Sequence, residues 1–351
     1  MSARRWLASI TAAGGTAAGV AAAQLGVGYG LGIVAWPSQA GGEGENAWVT
    51  SLAWATWIAA TSVAVGAVCA ARLDAAQAAA GHRTGTVRAK VTTSLRRGVL
   101  ALSAAIGALV TVPLVTVPAR VVDHPATSAP EAIAGGYALV GVILGLVVAP
   151  GVLAARAVTA NMIASLGWFW LLAVATVIDG VTAGRDGVTT QLAVWQFTSS
   201  GPDVPNINVW QALFTLGSAL LIGVLAALPA ARRGDSALGV AVSGAIGPLL
   251  VAAVYLLVAP TLTEVSSGEI SAYLVAPYAV LTGLAGSVAV AGLGPRLMGR
   301  PADREPTGAP QAEEPRADEP RADEPTEAAP EPTGSATERP DRQAPPAPVG
   351  T

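Results

Sequence analysis

The sequence predicts an all-α, polytopic membrane protein with eight transmembrane helices. The first observation behind this prediction is composition: of 351 residues, 52% are hydrophobic and only 12% are charged, against roughly 25% charged in a globular protein. The second is that the apolar residues gather in eight long runs free of Asp, Glu, Lys and Arg. The third is that the basic residues fall on alternate connections between these runs. Because aromatic residues make up only 5% of the chain, the composition favours membrane helices over a β-barrel with aromatic girdles.

Each apolar run is long enough to cross a bilayer, because about 20 residues rising 1.5 Å each span a hydrocarbon core of roughly 30 Å. We place the eight spans at residues 7–34, 48–71, 98–119, 132–155, 160–178, 208–230, 236–259 and 270–293. They make up a transmembrane domain over residues 1–300. Residues 301–351 follow as an acidic, Pro-rich cytoplasmic tail with 12 Pro and 12 acidic residues. Such a composition predicts a disordered segment.

The charges of the connections predict the orientation, because Lys and Arg of short loops collect on the cytoplasmic side of a membrane. Thirteen basic residues fall on the side of the N-terminus, and only Arg120 and Arg185 fall on the other side. Four tryptophans lie near span ends on that other side, where an indole can bury its ring and keep its N–H in water. They are Trp36, Trp48, Trp195 and Trp210. The Ala, Gly, Val and Arg bias suggests a bacterial source, so we expect a multi-pass inner-membrane protein with both termini in the cytoplasm.

A cleaved signal sequence is the alternative for the first span, since Arg4 and Arg5 precede an Ala-rich stretch. The apolar stretch is long for the hydrophobic region of a signal sequence, which favours a retained span. Cleavage would leave the orientation of the other seven spans unchanged.

Short sequence landmarks recur in the same order in the two halves of the transmembrane domain, which indicates a four-plus-four internal repeat. Four-span units cross the membrane an even number of times, so the two copies would be parallel. The alternative is chance similarity among apolar segments of low complexity. The matching landmarks are Asn46-Ala47-Trp48 with Asn208-Val209-Trp210, Arg96-Arg97-Gly98 with Arg232-Arg233-Gly234, Ala105-Ile106-Gly107 with Ala245-Ile246-Gly247, and Glu131 and Tyr137 with Glu269 and Tyr273.

The candidate functional residues within the spans are polar side chains and prolines. No ionisable residue lies near the centre of a span, which argues against a pump built on buried carboxylates. The amide of Gln24, near mid-depth, needs partners across a helix interface, and these are another helix or a substrate. Prolines can kink helices and open cavities, so the tandem of Pro113 and Pro118 marks span three as the first place to look for an outward-facing cleft. The candidate cavity residues are Gln24, Pro113, Pro118, Asn161, Gln211 and Pro248.

The sequence carries no constellation that would indicate an enzyme, a cofactor or a metal site. His82 and His124 fall on opposite sides of the predicted membrane, and neither has Cys or carboxylate neighbours at metal-ligand spacing. Cys69 is the single cysteine, so an internal disulfide cannot form. Walker, GxGxxG and GxSxG sequences are missing as well. We therefore expect no catalytic residue, no cofactor and no metal.

Three segments outside the spans are candidates for recognition. The inner loop 72–97 carries six basic residues against Asp74 alone, which predicts contact with anionic lipid of the bilayer, a cytoplasmic partner being the alternative. The outer loop 179–207 can lie on the interface or cover a pore mouth. The tail is an inert extension or a tether for a cytoplasmic protein partner, and we expect no nucleic-acid partner. The candidate recognition residues are Trp195 in the outer loop, with Asn208 and Trp210 at the start of span six.

Two functions of different class fit this sequence. The first is a non-enzymatic scaffold or accessory protein of the bacterial cell envelope, favoured by uncharged spans and the absence of catalytic groups. The second is a permease, or the membrane subunit of a transporter, for an uncharged or lipid-like substrate, favoured by the repeat and the prolines. A continuous polar vestibule between the two halves, lined by Gln24, Asn161, Gln211 and the Pro-containing segments, would support transport, whereas a dry and tightly packed interior would support the scaffold.

Overall fold

The computed structural model describes residues 3–38, 42–78, 87–122, 129–185, 189–196, 203–204, 207–259 and 267–297. These residues belong to one compact unit, Met1–Ala302. The tail 301–351, His82 and His124 lie outside the described residues. The elements are α1 (Ala3–Gly30), α2 (Gly42–Ala78), α3 (Val87–Ala108), α4 (Thr111–Ala119), α5 (Pro130–Val152), α6 (Arg156–Thr182), β1 (Asp203–Val204), β2 (Ile207–Asn208), α7 (Val209–Arg232), α8 (Ala237–Ala241), a 3₁₀ turn (Ser243–Ala245), α9 (Ile246–Val258) and α10 (Ser267–Leu297).

Eight helical stretches in the described part of the chain are long and apolar enough to cross a membrane, which confirms the predicted number of spans. They are Trp6–Gly30, Gly44–Ala75, Ser94–Ala119, Pro130–Val152, Arg156–Thr182, Val209–Arg232, Ala237–Val258 and Ile270–Leu293. The remaining regular structure is a short antiparallel pairing of β1 with β2, just before α7. Apart from this short pairing, the regular secondary structure of the described residues is helical.

The helix ends differ from the predicted span ends by a few residues. The first helix stops at Gly30 rather than residue 34, and α6 begins at Arg156 rather than residue 160. The predicted spans excluded every charged residue, but a long basic side chain at a helix end can reach water along its apolar stem. α2 runs on to Ala78, because the Ala-rich start of the 72–97 loop has high helix propensity.

Spans three and seven are each interrupted. In span three, α3 ends at Ala108 and α4 begins at Thr111, so that Pro113 lies in the first turn of α4. In span seven, α8 and the 3₁₀ turn precede α9, whose first turn holds Pro248. Proline is tolerated in a first turn because the N–H that it lacks has no partner inside the helix. The interruption of span three lies beside the tandem prolines that predicted a bend there.

The helices form two sets of four spans with the same pattern of neighbours. In the N-terminal bundle, α1 to α5, spans one and four each contact spans two and three, which also touch each other. In the C-terminal bundle, α6 to α10, spans five and eight each contact spans six and seven in the same way. α2 joins the two bundles, because it also contacts α6 and α9. Of the 18 consecutive residues that form the most apolar part of α2, 89% are buried inside the protein.

Glycines allow the closest helix contacts in the N-terminal bundle. A Cβ atom at Gly141 or Gly145 of α5 would overlap the backbone of Thr56 or Ala60 in α2. Helices that lack a hydrophobic driving force between them associate through such close backbone approach. The two glycines of span four, which lie four residues apart, therefore pack inside the protein.

The two ends of the bundles differ in chemistry. We call the end that carries Arg72, Arg97, Arg156 and Arg233 the basic face, and these four side chains line one cavity there. The opposite end is the tryptophan face, where the rings of Trp36 and Trp48 pack edge to face with centroids 5.1 Å apart. An exposed ion pair between Asp179 and Arg185 also lies at the tryptophan face.

Candidate functional site

A narrow cleft lies within the C-terminal bundle and extends from the tryptophan face toward mid-span, and its space together with the adjoining open solvent is about 590 Å³. α7 forms one wall, because Gln211, Thr215 and Ser218 follow one another at three- and four-residue spacing and share a helix face. The other walls add three hydroxyl groups among apolar side chains such as Phe169 and Val251. They come from Ser165 of α6, Tyr255 of α9 and Ser271 of α10.

The segment 189–196 covers the cleft at the tryptophan face, and Leu192, Ala193 and Val194 line it from above. Two hydrogen bonds fasten this segment to the helices. The Tyr255 hydroxyl donates to the Leu192 carbonyl oxygen at 2.6 Å, and the indole N–H of Trp54 donates to the Thr190 carbonyl oxygen at 2.8 Å. The cover is thus tied to both bundles, since Trp54 belongs to α2.

The floor of the cleft is the start of α9. No side chain of its own helix caps α9, and the N–H of Gly247 instead donates to Asn161 Oδ1 of α6 at 3.1 Å. A Cβ atom at Gly247 would overlap the Ser165 side chain. The interruption of span seven therefore places Pro248 directly in the cleft wall. Asn161 itself is fully buried beneath the cleft, and its Nδ2 has no hydrogen-bond partner among the described residues.

The chemistry of the lining is uncharged. Among the described residues that line this cleft, there is no Asp, Glu, Lys, Arg or His. Several hydroxyl groups already serve the protein: Ser218 donates to the Thr215 carbonyl oxygen, and Ser271 accepts from the Asn208 N–H. The side-chain amide of Gln211 makes no hydrogen bond to another described residue and is half-buried, so it can receive a ligand. Mostly apolar walls with a few polar groups are typical of small-molecule sites.

The predicted cavity residues do not converge on one site. Gln211 and Pro248 line the cleft, and Asn161 supports its floor. Gln24 lies elsewhere, between α1, α2 and α6, where its Oε1 accepts from the Trp170 indole at 2.9 Å and its Nε2 donates to Ser62 at 3.1 Å. Side chains of neighbouring helices thus satisfy the hydrogen bonds of the Gln24 amide, as expected if its partner is another helix and not a substrate.

The expectation that Pro113 and Pro118 would mark the cleft finds no support in the residues that line it. Both prolines lie on α4, which packs against α5 in the N-terminal bundle. A Cβ atom at Gly135 of α5 would overlap the Thr116 side chain, so α5 fills the space beside the bend. The cleft has formed at the interruption of span seven instead.

The predicted recognition residues come together at the rim of the cleft. Phe214 stacks on Trp195 of the cover at 4.9 Å between ring centroids and on Trp210 of its own helix at 6.3 Å. Asn208 caps α7, because its Oδ1 accepts from the Gln211 N–H at 3.0 Å. Trp210 remains 42% exposed, which leaves an aromatic surface beside the mouth.

Sequence reasoning missed Ser165, Thr215, Ser218, Tyr255 and Ser271. One signal was present in the sequence, since Gln211, Thr215 and Ser218 form a polar stripe at helical spacing in an otherwise apolar span. The hydroxyls of the other helices gave no such signal, because only their convergence in space relates them.

The described residues show what the cleft can do chemically. They contain no group of three His, Cys, Asp or Glu side chains placed to hold a metal ion, and the cleft offers hydroxyl and amide groups for hydrogen bonding without an acid or base beside them. Cys69 is half-buried on α2, away from the cleft lining. The arrangement suits binding of an uncharged molecule. No protein-family model, curated protein or solved structure matches this chain.

Proposed function

We propose that the protein is a permease, or the membrane subunit of a transporter, that takes an uncharged, largely apolar molecule into the cleft of its C-terminal bundle. The observation that carries this proposal is the cleft itself, which lies within one bundle rather than between the two halves. It combines mostly apolar walls, a Gln211 amide with no partner among the described residues, and a cover fastened by hydrogen bonds. The interrupted span seven supports it, because a broken helix lining a cavity is a common basis for substrate sites in transporters.

The membrane setting is part of the same proposal. We infer a bacterial inner membrane, with the basic face and both termini in the cytoplasm, since basic residues collect on that side. The gathering of Arg72, Arg97, Arg156 and Arg233 at one end of the described helices supports this orientation. The cleft then opens toward the outside of the cell.

We also infer that the two bundles are copies of one four-span unit. Two observations support the repeat: the equivalent neighbour patterns of the spans and the interruption of the third span in each bundle. A third observation concerns Gly107 and Gly247, the last residues of the matching landmarks Ala-Ile-Gly. Each packs against the first span of its own bundle. Gly107 packs against Gly14 of span one, and Gly247 packs against Ser165 of span five.

Two other landmark pairs differ in local structure. Asn208 caps α7 from outside the helix, whereas Asn46 lies inside α2. Arg96 and Arg97 lie within α3, whereas Arg232 and Arg233 end α7. The two proposed copies are therefore more alike in how their spans pack than in where their helices begin and end.

We infer that the two bundles have different roles, although they would be copies of one unit. Glycines close the second span of each bundle against the fourth, Gly141 and Gly145 against α2 and Gly286 against the backbone of Leu220 in α7. The difference lies in the aromatic core of the N-terminal bundle, where Trp54 and Trp57 are fully buried. The C-terminal bundle keeps its cleft. The N-terminal bundle would then support the C-terminal one, which binds the molecule.

A non-enzymatic scaffold or accessory protein of the cell envelope is the second candidate function. The dense packing of the N-terminal bundle and the occupied amide of Gln24 favour it, because neither leaves room for a substrate path. The proposed tail partner belongs to this alternative. Deletion of residues 301–351 should remove copurifying cytoplasmic proteins if the tail is a tether and leave them unchanged if it is inert.

Bound molecules identified by mass spectrometry test the binding proposal. The wild-type protein, purified in mild detergent, should carry a non-protein mass that the Ala219→Trp variant lacks, because Ala219 lines the cleft and is 7% exposed. Leu221→Trp is the matched control, since Leu221 lies two residues away, is 57% exposed and does not line the cleft. The identified molecule is then tested for passage into proteoliposomes.

Thiol labelling provides a second test that does not require the ligand. In a Cys69→Ala background, Ser218→Cys should react with a small membrane-impermeant thiol reagent, and Leu221→Cys should not. A cleft that is closed to the reagent, together with no bound mass in the wild-type protein, would contradict transport and leave the scaffold as the better function.

A further inference from the structure

A second cavity opens at the basic face between the two bundles, at the opposite end of the protein from the cleft. The space of this cavity, together with the adjoining open solvent, is about 1290 Å³. Four helices bring one arginine each to its wall: Arg72 from α2, Arg97 from α3, Arg156 from α6 and Arg233 from α7. Four guanidinium groups around one space create a strongly positive potential.

Most of this positive charge is not neutralised by the protein. Among the described residues, no acidic side chain lies within 4.0 Å of Arg72, Arg97 or Arg156, and Arg233 approaches Asp235 at 3.4 Å. The neighbouring Arg96 behaves differently, because it forms an ion pair with the buried Asp74, outside the cavity. Of these five arginines, Arg96 and Arg233 have a carboxylate partner, and the other three have none among the described residues.

The start of α6 adds donors to the same cavity. α6 is 27 residues long, and its N-cap residue Ala155 provides no side-chain hydrogen bond to the first turn, which also lacks an acidic residue. Ala154, Ala155 and Arg156 all line the cavity. The free N–H groups at such a helix start, with the positive end of the helix dipole, favour an anion.

The inner part of the cavity is apolar. Val68 of α2, Leu153 at the end of α5, and Ala226 and Pro229 of α7 line it below the arginines. A soluble anion would gain nothing from these walls, whereas a lipid can place its headgroup among the arginines and the start of an acyl chain against the apolar wall. Basic pockets between membrane helices bind phosphate headgroups in this way.

We propose that this cavity binds the phosphate headgroup of an anionic glycerophospholipid. Arg156, Arg72 and Arg97 contact the phosphate oxygens, since a guanidinium group can donate two parallel hydrogen bonds to them. Arg233, on the same cavity wall, attracts the headgroup by its charge. The site goes beyond the loop contact predicted from sequence, because two of its arginines, Arg156 and Arg233, lie outside residues 72–97. It does not depend on the function of the cleft.

Lipid binding to the full-length protein in detergent micelles tests the proposal by native mass spectrometry. The probes are dioleoylphosphatidylglycerol, dioleoylphosphatidylcholine as the zwitterionic comparison, and free glycerol phosphate. We expect selective retention of phosphatidylglycerol. Arg156→Gln and Arg72→Gln should each weaken it about fivefold, the effect of one basic residue near an anionic surface.

The matched pair for this experiment is Arg233→Gln and Arg232→Gln. These arginines are adjacent in sequence and exposed, but only Arg233 lines the cavity. Loss of affinity in Arg233→Gln with none in Arg232→Gln supports the site, and equal loss in both indicates general surface attraction and overturns it. Free glycerol phosphate binding as well as the lipid would overturn the lipid assignment. An unchanged elution profile and unchanged phosphatidylcholine retention separate these effects from misfolding.

Discussion

Single residues decide how the polar groups of these spans are satisfied, and Gln24 is the clearest case. The sequence predicted that its amide would need partners at mid-depth, and the structure provides the Trp170 indole and the Ser62 hydroxyl. The identity of these partners could not be predicted. Trp170 is 146 residues away along the chain, and no local pattern relates it to Gln24.

The Gln24 contact predicts a measurable coupling between α1 and α6. Gln24→Leu and Trp170→Phe should each lower the free energy of unfolding by about 0.6–1.7 kcal/mol, the range of hydrogen bonds between membrane helices. The double variant should cost less than the sum of the two, because both changes remove the same bond. Thermal unfolding of the wild type, the two single variants and the double variant in detergent measures this coupling. If the two losses of unfolding free energy simply add, the hydrogen bond contributes nothing.

Asp74 is the second residue with a specific energetic prediction. It is 3% exposed, pairs with Arg96 of α3 and accepts a hydrogen bond from Ser9 of α1, so that it links three helices at the basic face. Asp74→Asn should lower the free energy of unfolding by roughly 1–3 kcal/mol, since it weakens hydrogen bonds to a charged group.

Asp235→Asn is the control for this change. Its ion pair with Arg233 is exposed and longer, at 3.4 Å, and such surface pairs contribute about 0–1 kcal/mol. Similar unfolding temperatures for the Asp74→Asn and Asp235→Asn variants would contradict a structural role for Asp74.

At the scale of the helix, Gly145 of α5 and Gly19 of α1 behave in opposite ways. Gly145 lies against the backbone of α2, whereas a Cβ atom at Gly19 of α1 would meet no atom within 4 Å. The two positions look alike in sequence, because each belongs to a pair of glycines four residues apart. Only the packing of the helices distinguishes a contact from an open position.

Alanine substitution should separate these two glycines. Gly145→Ala forces α5 away from α2 and should lower the free energy of unfolding by about 1–3 kcal/mol, as overpacking does. Gly19→Ala should be neutral or stabilising by up to about 1 kcal/mol, because alanine favours the helix. Unfolding curves of the two variants check the prediction, and equal destabilisation would contradict the close contact of α5 with α2.

Interrupted helices show where sequence reasoning about elements succeeds and where it ends. The tandem prolines predicted the bend in span three, because proline cannot continue a helical hydrogen-bond pattern. Proline alone does not identify the spans that break, since Pro150, Pro229 and Pro277 lie inside the uninterrupted helices α5, α7 and α10. Proline positions also did not identify which break would open a cleft. α5 packs beside the break in span three, whereas Asn161, Ser165 and the cover arrange the space beside Pro248.

For the whole molecule, the main prediction is orientation. A fluorescent protein fused after Thr351 should fluoresce in the cytoplasm, and alkaline phosphatase inserted between residues 123 and 128 should be active, since it requires the outer side. With the two reporters exchanged, the phosphatase after Thr351 should be inactive and the fluorescent protein between residues 123 and 128 should not fluoresce. An active phosphatase at Thr351 would contradict the proposed direction of every span.

The number of spans and their approximate positions could be predicted from the sequence, because lipid as a solvent imposes length and the absence of charge on each span separately. The cleft could not be predicted in the same way. Its walls come from four helices and from the segment 189–196, and Tyr255 and Ser165 meet there only after these elements pack. The sequence shows the polar stripe of α7, but it does not indicate which side chains of the other helices lie across the cleft from it.

The central position of α2 has a consequence for how the protein is made. α2 is synthesised early, but the helices of the C-terminal bundle that cover it, α6 and α9, follow later in the chain. At about 5–20 residues per second, a ribosome needs on the order of tens of seconds to reach α9. During that interval the indole of Trp54 has no carbonyl from Thr190 to bond with, so a half-made chain should be a target for membrane proteases and chaperones.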